Sequence, residues 1–150
     1  MPLVKTCLLA VLLSAALVMA ADEEHWFVQR VESIRVPSIQ IDMALPSEAL
    51  EYLRVKARDW ESDRKPAERG FSMISTALDD SKPISYKKKD TTLKVVLRDF
   101  ATLTSTDIHI TTVGVFIVPT GEAPPLHIKS TEARILKTYK PQNPATKPSK

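Results

Sequence analysis

The sequence is poor in cysteine, glycine and aromatic residues. Its 150 residues include one cysteine and three glycines, and aromatic side chains make up 6% of the chain. A single cysteine excludes an intramolecular disulfide framework. With so few glycines there is no glycine-rich phosphate loop, and no serine lies in a Gly-x-Ser-x-Gly motif. These absences argue against a phosphate-binding loop and against a hydrolase nucleophile.

Clustered metal ligands and a catalytic pair of carboxylates are also missing. The three histidines, His25, His109 and His127, lie far apart in the chain, and none has a partner at metal-ligand spacing. Asp79 and Asp80 are adjacent, but a serine and a proline follow them, which is typical of a turn. We therefore predict no catalytic residue, no metal and no cofactor. A small hydrolase whose site is not visible in the sequence is the enzymatic alternative.

Charge is divided unevenly along the chain. Residues 22–120 contain 14 Lys and Arg against 16 Asp and Glu, a net charge of −2, whereas residues 121–150 contain 6 against 2, a net charge of +4. Nucleic-acid binding needs a basic face on the folded part, with aromatic side chains for stacking. Since the body is close to neutral and poor in aromatic residues, no nucleic-acid partner is expected.

The one long hydrophobic run lies at the N-terminus. Lys5 precedes an apolar stretch from Cys7 to Met19, and small residues around Ala20 fit a signal-peptidase site, which predicts a signal peptide over residues 1–21. The stretch is short for a membrane span, and a retained anchor is the alternative. Cleavage would also remove Cys7. We therefore expect an exported bacterial protein, periplasmic or secreted, without a disulfide or a stable transmembrane segment.

Hydrophobic periodicity predicts one domain over residues 34–120, after a lead-in segment at residues 22–33. Alternating apolar residues indicate strands, and spacings of three and four indicate helices. The expected order is strand, helix, strand, strand, helix, strand, strand, at Ser38–Asp42, Leu45–Asp63, Phe71–Thr76, Pro83–Lys87, Leu93–Leu103, Ile108–Thr111 and Val113–Pro119. This order predicts the α+β class, as βαβ–βαβ(β), with two amphipathic helices packed on small mixed sheets. The lead-in is expected to be an extra strand or an extended segment.

Both predicted helices have an apolar stripe. The first begins at Pro46, because proline is tolerated only in the first turn, and the second is expected to be capped by Asp90 or Thr91. The first stripe consists of Ala49, Leu50, Leu53, Ala57 and Trp60, and the second of Leu93, Val96, Leu97, Phe100 and Leu103. The last strand, "VGVFIVP", is apolar on both faces and is therefore expected to be central or sandwiched.

Residues 121–150 have a different composition. They hold five prolines and end in lysine-rich sequence, which predicts a flexible tail. Within the tail, "STEARILKTY" could form a short helix on docking. The folded body is accordingly expected to end near Thr120.

Six residues are candidates for an interaction surface. They are Trp26, Ile39, Ile41, Lys87, Lys88 and Lys89. Pro37 indicates that the first strand lies at a sheet edge or begins there, where a partner strand could pair. The lysine run has a simpler interpretation as a solvated strand end, which would discourage edge-to-edge pairing. Trp60 is expected to pack in the core, whereas Trp26 lies in the polar lead-in.

The segment "PISYKKKDTTLKVVLRDFATLTSTDIHITTVGVFIVP" resembles the second half of the short N-terminal domain shared by secretins and TonB-dependent transducers. The matching positions are Leu93, Val96, Leu97, Leu103, Ile108, Val115 and Ile117. "IQIDMALPSEALEYLRVKA" resembles the first half, at Ile39, Ile41, Ala49, Leu50 and Leu53. The loop from Trp60 to Gly70 is longer than in the family, and these residues include no secretin pore and no outer-membrane barrel.

The resemblance implies a βαβ–βαβ fold and a docking role, and the family has no catalytic residues to carry over. The main hypothesis is therefore a non-enzymatic protein-interaction module of the bacterial envelope. Its expected partners are envelope proteins, such as secretin or TonB-type machinery. The alternative is a periplasmic module that binds a glycan or an anionic lipid through the lysine run, the tail and Trp26.

Overall fold

The computed structural model describes residues 26–126 and 133–142. The predicted signal peptide, His25, His127 and residues 143–150 of the expected tail lie outside the described residues. In order, the elements are α1 (residues 26–33), β1 (Arg35–Ala44), α2 (Pro46–Trp60), a 3-10 turn (Pro66–Glu68), β2 (Met73–Ser75), β3 (Ile84–Thr92), α3 (Leu93–Thr104), β4 (Thr106–Thr111), β5 (Gly114–Pro119) and β6 (Ile135–Tyr139). This mixture confirms the predicted α+β class. None of the described helices is long and apolar enough to cross a membrane.

The strands form two sheets, which we call sheet A and sheet B. Sheet A pairs β1 with β3 in antiparallel orientation. Sheet B has the order β2-β5-β4-β6, with β2 parallel to β5 and the other neighbours antiparallel. The strand before α2 and the strand before α3 both belong to sheet A, and the strands after these helices belong to sheet B. The two similar halves of the sequence therefore interlock, because each contributes to both sheets.

The core lies where the two helical stripes meet the sheets. Both stripes are buried as predicted, at Ala49, Leu50, Leu53 and Ala57 in α2 and at Leu93, Val96, Leu97 and Phe100 in α3. Trp60 is partly buried and packs against this core. Leu103 is wrongly assigned to the stripe: it lies in the last turn of α3 and is 42% exposed.

Helix α2 starts where the sequence predicts, at Pro46. The unpaired amides of its first turn are satisfied from two directions. Glu48 Oε2 accepts a hydrogen bond from the Leu45 N–H at 3.1 Å. Asp80 accepts one from the Ser47 N–H at 2.9 Å and one from the Ser47 hydroxyl at 2.6 Å. The loop before β3 is thereby attached to the start of α2.

The start of α3 differs from the prediction. Strand β3 extends to Thr92 and leads directly into the helix, and no side chain caps it at that residue. The predicted cap by Asp90 or Thr91 is therefore wrong. The Leu93 N–H donates to the Ile34 carbonyl oxygen at 2.8 Å, so a backbone acceptor from the start of β1 takes the place of a capping side chain.

The lead-in segment is also different from the prediction, because residues 26–33 are helical rather than extended. Phe27, Val31 and Ile34 recur at spacings of four and three, and Val31 is fully buried. The adjacent Val28 packs against the core as well, so these apolar residues share one face of the helix. The segment is short, and its helical spacing was not recognised in the sequence.

The expected tail contains a strand. Ile135–Tyr139 form β6, which pairs antiparallel with β4, so the prediction of a short helix in "STEARILKTY" is wrong for these residues. Strands β5 and β6 lie on opposite sides of β4. The folded part of the chain therefore extends beyond Thr120, and the assignment of all of residues 121–150 to a flexible tail is corrected.

The hairpin between β4 and β5 confirms its prediction. The Thr111 hydroxyl donates to the Gly114 carbonyl oxygen at 2.9 Å and thereby closes the turn. At Gly114, φ is +150°, and an added Cβ would lie 2.8 Å from the Ser72 carbonyl oxygen. Strand β5 is buried on both faces and lies between β2 and β4. It is therefore the central strand that its sequence predicts.

Candidate interaction surfaces

The side chains of Ile39 and Ile41 are not available to a partner. They are 1% and 5% exposed and belong to the hydrophobic core. The pleat turns these two side chains inward, so the predicted role at a strand edge depends on the backbone of β1 rather than on its apolar side chains.

The backbone of β1 has one unpaired edge, since within the described residues β1 pairs only with β3. The hydrogen bond from the Leu93 N–H to the Ile34 carbonyl joins directly opposed residues of the register. In an antiparallel pair, successive residues alternately direct their N–H and C=O groups toward the partner and away from it. By this alternation, Val36 faces β3 and Arg35 faces outward. The alternation is interrupted where Pro37 and Asp90 do not pair and Asp90 has a φ of +48°. Since Val36, Ile39 and Ile41 are all buried, the phase is reversed beyond Pro37, so that Ile39 and Ile41 face β3 and Ser38 and Gln40 face outward.

The lysine run lies within β3 rather than at a strand end, and the pleat divides it. Lys88 is opposite Ile39, on the inner face, and its Nζ lies 2.7 Å from Asp99 Oδ2 of α3. Lys87 and Lys89 are exposed on the outer face. The lysine run therefore provides two surface cations and one partly buried ion pair.

The same Asp99 carboxylate also binds a tyrosine. The Tyr86 hydroxyl donates to Asp99 Oδ2 at 2.8 Å. Burial raises the pKa of Tyr86 well above its ordinary value, and the neighbouring carboxylate raises it further. Tyr86 and Lys88 together hold the inner face of β3 against α3.

Trp26 is 51% exposed and borders a surface groove of about 580 Å³. The guanidinium carbons of Arg30 and Arg64 lie 5.6 Å and 5.3 Å from the centre of its ring. The groove is lined by Trp26, Gln29, Arg30, Glu32, Ser33, Arg64, Thr92 and Lys94. Three parts of the chain meet there: α1, the loop after α2 and the junction of β3 with α3.

A buried ion pair attaches α1 to the loop after α2. Glu61, which is 3% exposed, accepts hydrogen bonds from Arg30 at 2.8 Å and 3.1 Å and from the Gly70 N–H at 2.5 Å. Burial by itself raises the pKa of the Glu61 carboxyl, but the bonds from Arg30 and Gly70 outweigh it, so the pKa lies below its ordinary value. The other guanidinium bonds of Arg30 go to the carbonyls of Glu68 and Gly70. No periodic pattern marks this network, and the sequence analysis missed it.

A second network attaches β6 to α1. Glu32 accepts a short hydrogen bond from the Tyr139 hydroxyl, and its Oε1 lies 2.6 Å from Lys137 Nζ. Lys94 Nζ lies 3.7 Å from the other carboxylate oxygen. Burial raises the pKa of the Glu32 carboxyl, but the bonds from Lys137 and Tyr139 outweigh it, and the pKa is lowered. Burial and the Glu32 carboxylate raise the pKa of Tyr139 well above its ordinary value.

His109 is the one histidine within the described residues. It is buried in β4, and its Nδ1 lies 2.7 Å from the Thr138 hydroxyl of β6. Its Nε2 is buried without a hydrogen-bond partner, as is Oδ1 of Asp107 on the same face. Asp107 Oδ2 accepts a hydrogen bond from the Gly121 N–H at 3.1 Å. These contacts connect β4 to the strand and the loop beside it.

The adjacent aspartates have structural partners. Asp79 Oδ1 accepts a hydrogen bond from the Ser81 N–H at 2.9 Å, which is the turn geometry that the sequence predicts. Asp80 binds the start of α2. Within residues 26–126 and 133–142, no group of three or more His, Cys, Asp and Glu side chains could hold a metal ion.

The structure therefore brings together Trp26 and the cations of one groove, and it places Lys87 and Lys89 near the unpaired edge of β1. Comparison of the chain with protein-family models, with curated proteins and with solved structures finds no match.

Proposed function

We propose that the chain is an exported, non-enzymatic protein-interaction module of the bacterial cell envelope. It binds its partner by strand addition, in which an extended segment of the partner pairs with the outer edge of β1. The observation that carries this proposal is a ten-residue strand whose outward N–H and C=O groups have no strand partner among the described residues. The resemblance to the short N-terminal domain of secretins and TonB-dependent transducers supports envelope machinery of that kind as the partner class.

The other edge of sheet A and the edges of sheet B offer less to a partner strand. Strand β2 has three residues and β6 has five, so each provides few outward backbone groups. Strand β3 has exposed lysines beside its edge, a feature that discourages pairing with another sheet. Strand β1 is the longest, and its pairing with β3 is irregular at Pro37 and between Ile41 and Ala44. A partner strand is therefore expected to centre on Ser38 and Gln40.

Charge favours a particular kind of partner segment. Lys87 and Lys89 are exposed on the outer face of sheet A, opposite Gln40 and Ser38. A strand added beside β1 would place its outward side chains near these cations. Acidic side chains at alternate positions of the partner would be attracted, and basic side chains would be repelled. We expect an acidic extended segment in the partner.

The test uses Arg35, whose N–H faces outward and whose side chain is exposed. Arg35→Pro removes that N–H and adds a ring at the edge, while Arg35→Ala removes the same side chain and keeps the N–H. Both proteins and the wild type serve as baits for envelope extracts of the source organism. We expect partners that bind wild type and Arg35→Ala equally and bind Arg35→Pro about tenfold more weakly, the loss of one backbone hydrogen bond and its neighbours.

Amide hydrogen exchange on the captured complex provides a second readout. The outward amides of Ser38 and Gln40 should gain protection when the partner binds, whereas the amides of Ile39 and Ile41, which already face β3, should change little. Equal capture by the proline and alanine variants, or no captured protein with wild type, would contradict strand addition at β1.

A further inference from the structure

The cations at the groove beside Trp26 outnumber the carboxylates that pair with them. Four cations (Arg30, Arg64, Lys94 and Lys137) surround two carboxylates, Glu32 and Glu61, so two positive charges remain in excess within this described cluster. The excess is concentrated on the two cations with the longest contacts. Arg64 Nε lies 3.5 Å from Glu61 Oε1, and Lys94 Nζ lies 3.7 Å from Glu32 Oε2. Both distances are too long for a good hydrogen bond.

The carboxylates cannot turn to these two cations without giving up better partners. Glu61 already accepts from Arg30 and from the Gly70 N–H, and Glu32 already accepts from Tyr139 and Lys137. Both Arg64 and Lys94 line the groove. Their donors are therefore available to an anion in the groove, where a charge-assisted bond is about twice as strong as a neutral one.

Among the described residues that line the groove, Trp26 is the single large apolar side chain, and the other side chains end in polar or charged groups. Gln29, Ser33 and Thr92 contribute an amide and two hydroxyl groups. An aromatic ring beside hydroxyl and amide groups suits a sugar, which has an apolar ring face and a rim of hydroxyl groups.

We infer that this groove binds an acidic saccharide, with the sugar ring against the part of Trp26 that Arg30 and Arg64 leave exposed and with its carboxylate bound by Arg64 and Lys94. The site is separate from the β1 edge, so this inference does not depend on strand addition. It also differs from binding through the lysine run, because Lys87, Lys88 and Lys89 are absent from the groove lining.

The binding experiment uses tryptophan fluorescence. The chain has two tryptophans, so Trp60→Phe leaves Trp26 as the single reporter. This protein is titrated with an oligogalacturonate, with a neutral oligosaccharide of the same length, and with vesicles of phosphatidylglycerol. We expect a saturable change with the acidic sugar, weakened by salt because exposed charges are screened, and no comparable change with the neutral sugar or the vesicles.

Variants assign the binding to the groove. Arg64→Gln and Lys94→Gln lie on different elements, and each should weaken binding by about tenfold, the effect of one hydrogen-bonded charge. Arg54→Gln is the matched control, because Arg54 is an exposed arginine of α2 whose ion pair is with Glu51. It should leave the affinity unchanged. Circular dichroism confirms that each variant is folded before it is titrated.

Two results would overturn the inference. One is the absence of saturable binding to the acidic oligosaccharide. The other is binding that both groove variants retain in full, since the sugar would then occupy another basic part of the chain. Vesicle binding that exceeds saccharide binding would equally reject an acidic sugar as the ligand.

Discussion

Sheets A and B differ in how many of their side chains are buried. In sheet A, β1 and β3 are ten and nine residues long, yet most of their side chains are exposed or half-buried. In sheet B, β4 is buried at every position and β5 at every position except its last. Sheet A has one layer of protein against it, whereas the inner strands of sheet B are covered on both faces. We therefore expect sheet B to contribute more to stability than sheet A, whose edge is the proposed site of strand addition.

The largest effect on stability is expected when one buried isoleucine is replaced in each sheet. Ile117 in β5 is fully buried between neighbouring strands, and Ile39 in β1 is 1% exposed in an edge strand. We expect Ile117→Ala to lower the free energy of unfolding by about 4 kcal/mol and Ile39→Ala by about 2 kcal/mol, since surroundings that collapse into the cavity reduce the loss. Urea denaturation measures both values. Equal losses would show that the two sheets contribute alike to stability.

A smaller loss of stability is expected when the contacts that attach β6 to the rest of the protein are removed. Glu32 binds Lys137 and Tyr139 of β6, and Glu32→Gln should lower the free energy of unfolding at neutral pH by about 1.5 kcal/mol. The folded pKa of Glu32 lies below its ordinary value of 4.5. A lowered pKa means that the stabilisation is present above the unfolded pKa and is lost as the pH falls through the folded pKa.

The difference between wild type and Glu32→Gln should therefore shrink as the pH falls below about 4.5, the ordinary value for this carboxyl. Urea denaturation across this pH range measures it, and exchange of the Lys137 and Thr138 amides reports on β6 directly. A difference that stays constant into acid would reject Glu32 as the residue that holds β6.

The smallest expected effect distinguishes two adjacent lysines of sheet A. Lys88 forms an ion pair with Asp99, and its side chain is 40% exposed. We expect Lys88→Gln to lower the free energy of unfolding by about 0.5 kcal/mol, the usual value for a largely solvated pair. Lys87→Gln is the control, because Lys87 is exposed on the other face and should cost almost nothing. A larger loss at Lys87 would show that the pleat is assigned to the wrong face.

Local patterns were sufficient for the middle of the chain. The stripe of α3 is strict, and Leu93, Val96 and Leu97 are all buried. Pro46 marked the start of α2, because few helical positions tolerate proline. The apolar run of β5 predicted a strand covered on both faces. In each case the residues whose pattern predicted the element are the residues that are buried in the structure.

The predictions failed where distant residues supply the partner. Strand β6 exists because "ILKTY" pairs with β4 and Tyr139 binds Glu32, more than a hundred residues away in the chain. The cap of α3 failed for the same reason, since the acceptor comes from Ile34. Ile39 and Ile41 were named for the edge of the first strand, but the alternation that predicted a strand could not show which of its backbone groups face a partner.

The sequence by itself determined two amphipathic helices, five strands in their order and the α+β class. It could do so because the spacing of apolar residues along a short segment shows which face of a helix or strand is buried. Tertiary structure alone decided that the halves interlock, that the lysine run is divided by a pleat, and that Trp26, Arg64 and Lys94 line one groove. The physical reason is the same for all three. Sheet pairing and charge convergence join residues far apart in the chain, and their partners are chosen only when the core packs.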